Sequence, residues 1–553
     1  MGIEDAWSRG FTGKGVVVAV TDVGINTDLI DIQPNIDDEL CFNFVNNSTD
    51  VTPEYFHSYK DTSTTDHGNR CASLIAAVKG NNVCSAGIAF NSSIVALKIF
   101  GVYKDIPNHI YVRSSSDMMA RSHVYELQSI DIYSNSWGPS QPFSQINLDQ
   151  REAIDTSAKK GRRGLGAVHV FPVGPTGNEL ANNEHTITVS AVGQHGTVPR
   201  DSVISASVLT SGLLSGNNLT ADSMMTTSFG NKCITSFAGV SAAAAQVAGM
   251  IALALEIKPL LTLADVQDLI VYSSDLSCLK MSENVSTNAA GLKFHPVFGF
   301  GLLNGTKLVD RANEMKEGLE ISEQSLSQIT ACDNKTHGYI ADFCYNCNPN
   351  TGDFILTTGC LYAVKTAKIQ FMYRTSARQM RISLISPNGT VSILQDLSSD
   401  SLQTGSTGRK QILTSVHFWD EDASGLWRFK LQSDGQVDVI GNVSLSLFGV
   451  VSDITTNGTS IKETDCAMTC SGHVLDSGNS DSHDVVSAGV IVAVVAVAAV
   501  FAIITVAVIC IRSKHRSSQS GVPMIENGQT SAESQSPLMN QRVNSETLEE
   551  TAT

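Results

Sequence analysis

Three short windows of the chain, taken together, restrict its fold and its chemistry more than any other feature. VAVTDVG contains Asp22, TDHGNRC contains His67, and FAGVSAAAA contains Ser241. An aspartate, a histidine and a serine are the members of a nucleophilic triad, in which histidine takes the serine proton and aspartate orients the imidazolium. Unrelated folds carry these residues in different orders along the chain, so the order Asp, His, Ser is itself informative. The windows predict a catalytic triad of Asp22, His67 and Ser241.

The sequence around each residue indicates where it lies. Asp22 follows the apolar run of residues 16–20, which is typical of a buried parallel strand, and α/β sheets place their sites at the carboxyl ends of such strands. His67 precedes an apolar, helix-compatible stretch. Ser241 begins an alanine-rich segment (residues 242–256) without proline, so it should lie at a helix N-terminus, where backbone N–H groups favour an oxyanion. One such window alone could hold a capping serine or a packed histidine, but the joint order favours the triad.

The pattern of apolar segments predicts two folded domains. Residues 1–318 alternate strands with helical stretches, which is typical of an α/β fold with a doubly wound parallel sheet. Residues 319–452 alternate as half-exposed strands and include the turn signal Pro387-Asn388-Gly389, which indicates a β-sandwich. The candidate strands of the parallel sheet are residues 16–20, 94–100, 130–134, 167–171 and 186–192.

An uncharged apolar segment at residues 485–511 is long enough to form a transmembrane helix, since about 20 residues cross a bilayer. Arg512 and Lys514 follow it, and the positive-inside rule then places the C-terminus in the cytosol. The polar residues 453–484 read as a stalk, and residues 512–553 as a disordered cytoplasmic tail. We therefore expect a single-pass type I membrane protein of the secretory pathway.

Bulk composition narrows the classes of partner. The 553 residues carry a formal net charge of −17, which argues against nucleic acid as a partner. Twelve cysteines, together with the membrane segment, fit an oxidising compartment. No signal peptide precedes the three windows, and we expect the complete protein to begin further upstream; a cytosolic protein is the alternative. The sequence does not define an oligomeric state.

Several motifs in register resemble one family, the kexin/furin-type proprotein convertases of the subtilase superfamily. That resemblance implies a subtilisin-like catalytic domain, a P (Homo B) β-sandwich domain, and a serine endopeptidase that cleaves protein or peptide substrates, namely proproteins of the secretory pathway. The order Asp, His, Ser is the subtilisin order. The further segments that carry the resemblance are DAWSRGFTGKG (5–15), HGNRCA (67–72), NSWGP (135–139), GFGLLN (299–304) and WDEDASGLW (419–427).

The resemblance also implies a calcium site beside the triad. Carboxylate, amide and backbone carbonyl oxygens suit Ca²⁺. An ordinary asparagine-rich turn is the alternative for this loop. The implied ligands are Asp31, Val78, Asn81, Val83 and Ser85.

The resemblance further implies the state of several cysteines. It pairs Cys84 with Cys233 and Cys332 with Cys360, and it makes Cys71 a free thiol. Simple packing is the alternative role for Cys71.

The chain departs from the family at positions that matter for activity. In the strict register Pro175 occupies the place of the asparagine that stabilises the oxyanion, and a slip of three residues offers Asn178 instead. Gln141 occupies the place of an aspartate that binds a basic substrate residue, and the acidic loop is shortened to residues 179–184. Specificity for dibasic sites is therefore not implied, and the alternative function is a pseudoprotease that serves as a binding module.

Two tryptophans of the second domain, Trp419 and Trp427, flank an acidic turn. We expect this domain to pack on the catalytic domain through such large aromatic side chains. The alternative is that both tryptophans serve only the core of the sandwich.

Overall fold

A computed structural model defines the folded part of the chain. It describes residues 1–56, 64–104, 110–199, 202–214, 224–235, 237, 239–277, 279–280, 284–334, 338–345, 360–397 and 408–451. The predicted stalk, transmembrane helix and cytoplasmic tail lie outside the described residues, so these three assignments stay predictions.

A parallel β-sheet forms the centre of the first domain. Its strand order is β12-β15-β9-β8-β7-β6-β1-β3-β2, and all neighbours are parallel except β12 and β15. Each of the five predicted strands is present, with its ends shifted by no more than two residues. The strands are β1 (Val17–Asp22), β2 (Phe42–Asn43), β3 (Ser93–Lys98), β6 (Ile132–Ser134), β7 (Val168–Pro172), β8 (Thr186–Val192), β9 (Val208–Leu213), β12 (Ser274–Asp275) and β15 (Leu302–Leu303). Three hairpins, β4–β5 (Gly101–Lys104 and Ile110–Arg113), β10–β11 (Thr226–Ser228 and Lys232–Ile234) and β13–β14 (Ser286–Thr287 and Lys293–Phe294), lie outside it.

The strand order creates a switch point next to β1. Strands β2 and β3 lie on one side of β1, whereas β6 to β9 extend in sequence on the other. In open α/β sheets the crevice outside the carboxyl ends of the strands at such a point is where ligands bind. Asp22 is the last residue of β1, and Ser136 follows shortly after β6. The topology thus predicts a site between these two strand ends.

Helices cover the sheet on both faces. The central one is α5, whose residues Ala242 to Leu255 are all buried. It is also apolar and long enough to cross a membrane by composition, with a mean hydropathy of 1.7, but 78% of that window is buried inside the protein, as expected for a core helix. The helices are α1 (Ile3–Ser8), α2 (His67–Ala76), α3 (Ser116–His123), α4 (Leu148–Lys160), α5 (Val240–Ile257), α6 (Leu263–Ser273) and α7 (Gly305–Glu314).

The second domain is a β-sandwich, as its alternating pattern predicts. One sheet has the order β16-β25-β19-β22, with β24 paired to β19, and the other has the order β17-β18-β23-β20-β21. Aromatic and aliphatic side chains of both sheets form one core. The strands are β16 (Ser322–Leu326), β17 (Gln328–Asn334), β18 (Gly338–Tyr345), β19 (Leu361–Thr375), β20 (Met380–Ile385), β21 (Val391–Leu397), β22 (Arg409–Ser415), β23 (Gly425–Ser433), β24 (Val437–Val439) and β25 (Ser444–Val451).

The two tryptophans have different roles: one packs in the core of the sandwich and the other contacts the first domain. Trp427 lies in the sandwich core, with its ring 4.9 Å from that of Phe418. Trp419 instead joins the hydrophobic core of the first domain, where its ring lies 6.3 Å from that of Phe300 and its Nε1 donates to Asp268 Oδ1 over 3.1 Å. The sandwich therefore packs on the first domain through Trp419, whereas Trp427 belongs to the core of the sandwich. We call this interdomain contact the seam.

Candidate active site

A close backbone approach brings His67 to Asp22. His67 is the first residue of α2, and a Cβ on the next residue, Gly68, would lie 2.1 Å from the carbonyl oxygen of Gly24. Only glycine fits there, so the start of α2 can lie against the end of β1. Nδ1 of His67 lies 2.7 Å from Oδ2 of Asp22, and the backbone N–H of Val23 donates to Oδ1 over 2.7 Å. The carboxylate is thereby fixed toward the imidazole.

The environment of His67 favours its protonated form. Burial lowers the pKa of this imidazole, but the charge of Asp22 and, next, that of Cys71 more than offset it, so the pKa is raised well above the usual value. The sulfur of Cys71 lies 3.8 Å from Nδ1, and the ring of Phe237 stands edge-on at 5.5 Å. The His67 side chain keeps 24% of its surface exposed, against 2% for Asp22. Among the described residues Nε2 has no hydrogen-bond partner, so it can act on a bound molecule.

Ser241 is the second residue of α5, after Gly239 in a left-handed conformation (φ 107°). Its Oγ donates to the carbonyl oxygen of Ser136 over 2.9 Å, and Oγ of Ser136 donates to the carbonyl oxygen of Ser241 over 3.0 Å. The described residues show no hydrogen bond from Ser241 to His67. Ser136 was not singled out from the sequence, although it lies in the NSWGP segment directly after β6, and that position at the switch point is the signal that could have identified it.

A cleft of about 460 Å³ opens beside the Asp22–His67 pair. Its walls are largely apolar, and Ser136 forms part of them. Asp22, His67 and Ser136 therefore line one concave surface at the switch point of the sheet. Ser241 is not among the described lining residues and adjoins the cleft through its hydrogen bonds with Ser136. The lining residues are Asp22, Val23, Thr64, His67, Arg70, Phe100, Val112, Ser136, Trp137, Gly138 and Phe237.

The loop after β7 carries both residues considered for the oxyanion. Pro175 accepts a hydrogen bond on its carbonyl from the N–H of Asn178 and offers no donor. Asn178 is 1% exposed, and its Oδ1 accepts from the N–H of Leu180. Its Nδ2 has no hydrogen-bond partner among the described residues and points at the cleft wall, since a Cβ on Gly138 would lie 3.5 Å from it. Asn178 is thus the one of the two with a donor near the cleft.

The acidic residues of the shortened loop are occupied within the chain. Arg151 donates to Glu179, with Nε 3.0 Å from Oε1, and Lys368 forms an ion pair with Glu184. Gln141 is exposed. Because Glu179 and Glu184 are both paired, neither of their carboxylates is open to a basic group of a ligand.

The residues implied in calcium binding form a cluster in part. Asp31 is fully buried, and its carboxylate accepts hydrogen bonds from Nδ2 of Asn81 (2.9 Å) and from the hydroxyl of Thr227. Its carbonyl oxygen accepts from the N–H of Val78, and Oδ1 of Asn81 accepts from the N–H of Val83. No ion pair involves Asp31 in the described part of the chain, and its carboxylate is instead held by the amide N–H of Asn81 and the hydroxyl of Thr227. A carboxylate and an amide side chain are the kinds of group that bind a hard metal ion, although Asn81 would have to turn its oxygen toward it.

Ser85 lies at the edge of this cluster, where its hydroxyl donates to the carbonyl oxygen of Met225. The one group of three histidine, cysteine and acidic residues close enough to share a metal, within the described residues, is Asp22, His67 and Cys71. Its nitrogen and sulfur donors do not suit calcium.

The cysteines agree with the predictions where they are described. A disulfide joins Cys84 to Cys233 and thereby ties the loop of the calcium cluster to β11. Cys71 is a buried free thiol. Cys360 is disulfide-bonded, but the side chain of Cys332 lies outside the described residues, so their pairing stays a prediction.

Comparison with known proteins identifies the family of each folded domain. Residues 13–301, more than half of the chain, match the Subtilase family, and residues 365–447 match the Proprotein convertase P-domain. The human protein "Proprotein convertase subtilisin/kexin type 4" is 31% identical over 484 residues, which are 84% of this chain and 61% of the relative. Its counterpart from Mus musculus is 30% identical over 507 residues, which are 88% of this chain and 73% of the relative.

Furin of Rattus norvegicus is 29% identical over 473 residues, which are 82% of this chain and 56% of the relative. Among solved structures, the serine protease of Aeromonas sobria matches with a TM-score of 0.63 at 19% identity and covers 80% of this chain and 89% of that protein, which shows a shared fold. The chain therefore belongs to the subtilase family of serine endopeptidases, and it combines a subtilase domain with a P-domain, as in proprotein convertases.

Proposed function

We propose that this chain is a serine endopeptidase of the proprotein convertase type that uses Asp22, His67 and Ser241 to cleave peptide bonds. The observation that carries the proposal is the 2.7 Å contact between Asp22 and His67 at the rim of a cleft, with Nε2 of His67 open to that cleft. Asp22 holds the imidazole in the tautomer that presents Nε2 as a base. Ser241, at the start of α5, supplies the nucleophile.

In the proposed reaction Ser241 first turns its Oγ from the carbonyl of Ser136 toward His67 by rotation about Cα–Cβ. Nε2 takes the hydroxyl proton as Oγ attacks the substrate carbonyl, and the imidazolium then protonates the leaving amine. Because only neutral His67 can accept a proton, and its pKa is raised, we expect turnover to increase with pH through a pKa above the usual histidine value.

The negative oxygen of the tetrahedral intermediate needs donors. The backbone N–H of Ser241 at the helix start is one, and we propose Nδ2 of Asn178 as the other. Its position beside Gly138 in the cleft wall, without another partner in the described residues, supports this role. In this proposal Pro175 shapes the loop and does not bind the oxyanion.

We also propose a calcium ion held by the side chains of Asp31 and Asn81 and by carbonyl oxygens of Val78, Val83 and Ser85. The ion would neutralise the buried carboxylate and stiffen the loop that the Cys84–Cys233 disulfide anchors. Calcium should raise the melting temperature of the full chain by several degrees, as expected for a ligand that binds only the folded state. An equal increase in Asp31→Asn would contradict this site.

The expected substrates are proproteins of the secretory pathway, reached by a peptidase anchored in the membrane through residues 485–511. Protease digestion of intact vesicles tests the topology. A tag at the C-terminus should be removed from outside the vesicles, while the catalytic domain should be protected.

A pseudoprotease that binds peptides without cleaving them is the second candidate function. The hydrogen bond of Ser241 to Ser136, instead of to His67, favours it. An intact Asp22–His67 pair weighs against it, because a pure binding module does not need a base aimed at its cleft.

A fluorophosphonate probe separates the two functions, because it forms a covalent bond only with an activated serine. The full chain should be labelled, and Ser241→Ala should not. Ser8→Ala, which changes an exposed serine of α1, should be labelled like the unchanged protein. Absence of labelling in the full chain would favour the pseudoprotease, and equal labelling of Ser241→Ala would contradict the assignment of the nucleophile.

A further inference from the structure

The described residues that line the cleft beside the triad offer no free negative charge. Among the described residues that line it, Asp22 is the one carboxylate, and it is bound to His67. The lining residues nearest in sequence to this pair, Val23 after Asp22 and Thr64 before His67, are both uncharged. A basic side chain placed here would find no carboxylate to pair with.

Four acidic residues of the described part of the chain, near the cleft or in the shortened loop, are each paired with a basic residue of the chain itself. Asp66 is 0% exposed and lies 3.1 Å from Nε of Arg70, which lines the cleft. Glu54, outside the lining, lies 2.8 Å from Nζ of Lys98, two residues before the lining residue Phe100. Glu179 and Glu184 are likewise paired, with Arg151 and Lys368, so none of these four described carboxylates is free to bind a basic ligand group.

Apolar side chains form much of the rest of the wall, beside Thr64, Ser136 and Gly138. The ring of Phe100 packs edge-on against that of Trp137 at 5.5 Å, and Val112 on β5 is 37% exposed. Phe237 lies across the cleft against His67. An apolar concave surface beside reactive groups is typical of a pocket that takes an apolar side chain.

We infer that the cleft accepts a large apolar or aromatic side chain of the substrate close to the scissile bond, and disfavours arginine and lysine there. This inference rests on the proposed function and names its substrate class. The physical reason is that a guanidinium entering the cleft loses water without gaining a free carboxylate partner from the described lining residues, whereas an aromatic ring covers Phe100, Trp137 and Val112.

The test uses two internally quenched peptides that differ only in the two residues before the intended cleavage bond, Leu-Phe in one and Arg-Arg in the other. With the full chain, kcat/KM for the Leu-Phe peptide should exceed that for the Arg-Arg peptide by about 10-fold or more, and mass spectrometry should place the cut after the variable pair. Equal rates, or a preference for Arg-Arg, would overturn the inference.

Binding provides a second measurement that does not depend on turnover. Ser241→Ala should bind the Leu-Phe peptide about 10-fold more tightly than the Arg-Arg peptide in fluorescence anisotropy. If the fluorophosphonate probe fails to label the full chain, the proposed function fails while this binding measurement still decides the inference. Equal binding of both peptides would overturn it.

One substitution at the rim should shift the preference. Val112→Asp puts a carboxylate on the exposed strand β5, so the ratio between the Leu-Phe and Arg-Arg peptides should fall several-fold in binding and in turnover, by about the effect of one surface charge pair. Val391→Asp is the matched control, because Val391 is 50% exposed on β21 of the sandwich. An unchanged ratio in Val112→Asp would show that the peptide does not lie against this wall.

Discussion

The active-site cleft and the interdomain seam use the same kinds of polar residue in opposite ways. In the seam, Lys365 binds both Asp268 (2.5 Å) and Asp420 (2.7 Å), and the indole N–H of Trp419 also donates to Asp268. At the cleft, His67 keeps Nε2 and Asn178 keeps Nδ2 without partners among the described residues. Charged side chains that pair with one another hold the two domains together at these contacts, whereas polar groups with an open atom beside a cavity are available for chemistry.

The largest expected effect is on catalysis, and it distinguishes the aspartate that orients His67 in the cleft from the aspartate that pairs with Lys365 in the seam. Asp22→Asn should lower kcat by about 10⁴-fold, because the amide cannot hold His67 in the required tautomer or stabilise its charge. The free energy of unfolding should change far less than this loss of transition-state stabilisation, which is about 5.5 kcal/mol. Initial-rate assays with the peptide substrate measure kcat, and urea unfolding measures the free energy of unfolding.

Asp268→Asn is the matched change in the seam. It removes one of the two carboxylate charges that Lys365 faces and should lower stability while leaving kcat within a few-fold of the unchanged protein. A large loss of activity in a still-folded Asp268→Asn variant would contradict the division between cleft and seam.

The two tryptophans test the seam itself. Trp419→Ala removes a fully buried ring from the contact between the domains and should lower the free energy of unfolding by about 3–5 kcal/mol. Trp427→Ala should cost a similar amount, since it is equally buried. The difference lies in what unfolds. Hydrogen exchange should increase on both sides of the seam in Trp419→Ala, and mainly within the sandwich in Trp427→Ala. The same exchange pattern in both variants would break the comparison.

Much of the fold could be predicted from the sequence, because the signals were local. The apolar run before Asp22 predicts strand β1, and the alanine-rich segment after Ser241 predicts helix α5, each without reference to the rest of the chain. The contacts that complete the site are not local: Ser136 meets Ser241 across 105 positions. No spacing rule links them, since the sheet order alone brings them together.

The seam shows the same limit. Sequence could not decide which tryptophan crosses to the first domain, because both flank one turn and both are apolar. Trp419 crosses because the turn after it is pinned by hydrogen bonds of Asp420 and Glu421 with the backbone of Val364, which directs the ring toward Asp268.

Asn178→Asp tests the open amide of the cleft. The change keeps the size of the side chain and the acceptor for Leu180 but removes the Nδ2 donor, so kcat should fall by about 100- to 1000-fold with a smaller change in KM. Pro175→Ala is the control, and it should change kcat less than about 3-fold because the Pro175 side chain offers no donor. If Pro175→Ala were the more damaging change, the oxyanion donor would have to lie elsewhere in the loop.

The smallest expected effect concerns a histidine inside the seam. His417 is fully buried, its ring stacks on Phe294 at 4.1 Å, its Nδ1 bonds to Oγ of Ser392, and its Nε2 has no partner in the described structure. Burial, and then the nearby His295, lower the pKa of His417 to about 3. This is the reverse of His67, whose pKa is raised.

The direction of the pH effect follows from that lowered pKa. Below the ordinary histidine pKa of about 6.5, the unfolded chain binds a proton that His417 in the folded chain refuses until about pH 3. Stability should therefore be unaffected above that range and fall as the pH falls through it, by up to about 1.4 kcal/mol per pH unit from this one residue.

His417→Phe keeps the stacked ring and removes the titration of this residue. Between pH 6 and 5, urea unfolding should show the unchanged protein losing about 1 kcal/mol more than His417→Phe, since other buried histidines contribute equally to both. His195→Gln, at an exposed position of the first domain, should follow the unchanged protein. Parallel pH dependence in His417→Phe and the unchanged protein would mean that the seam opens to water before His417 is protonated.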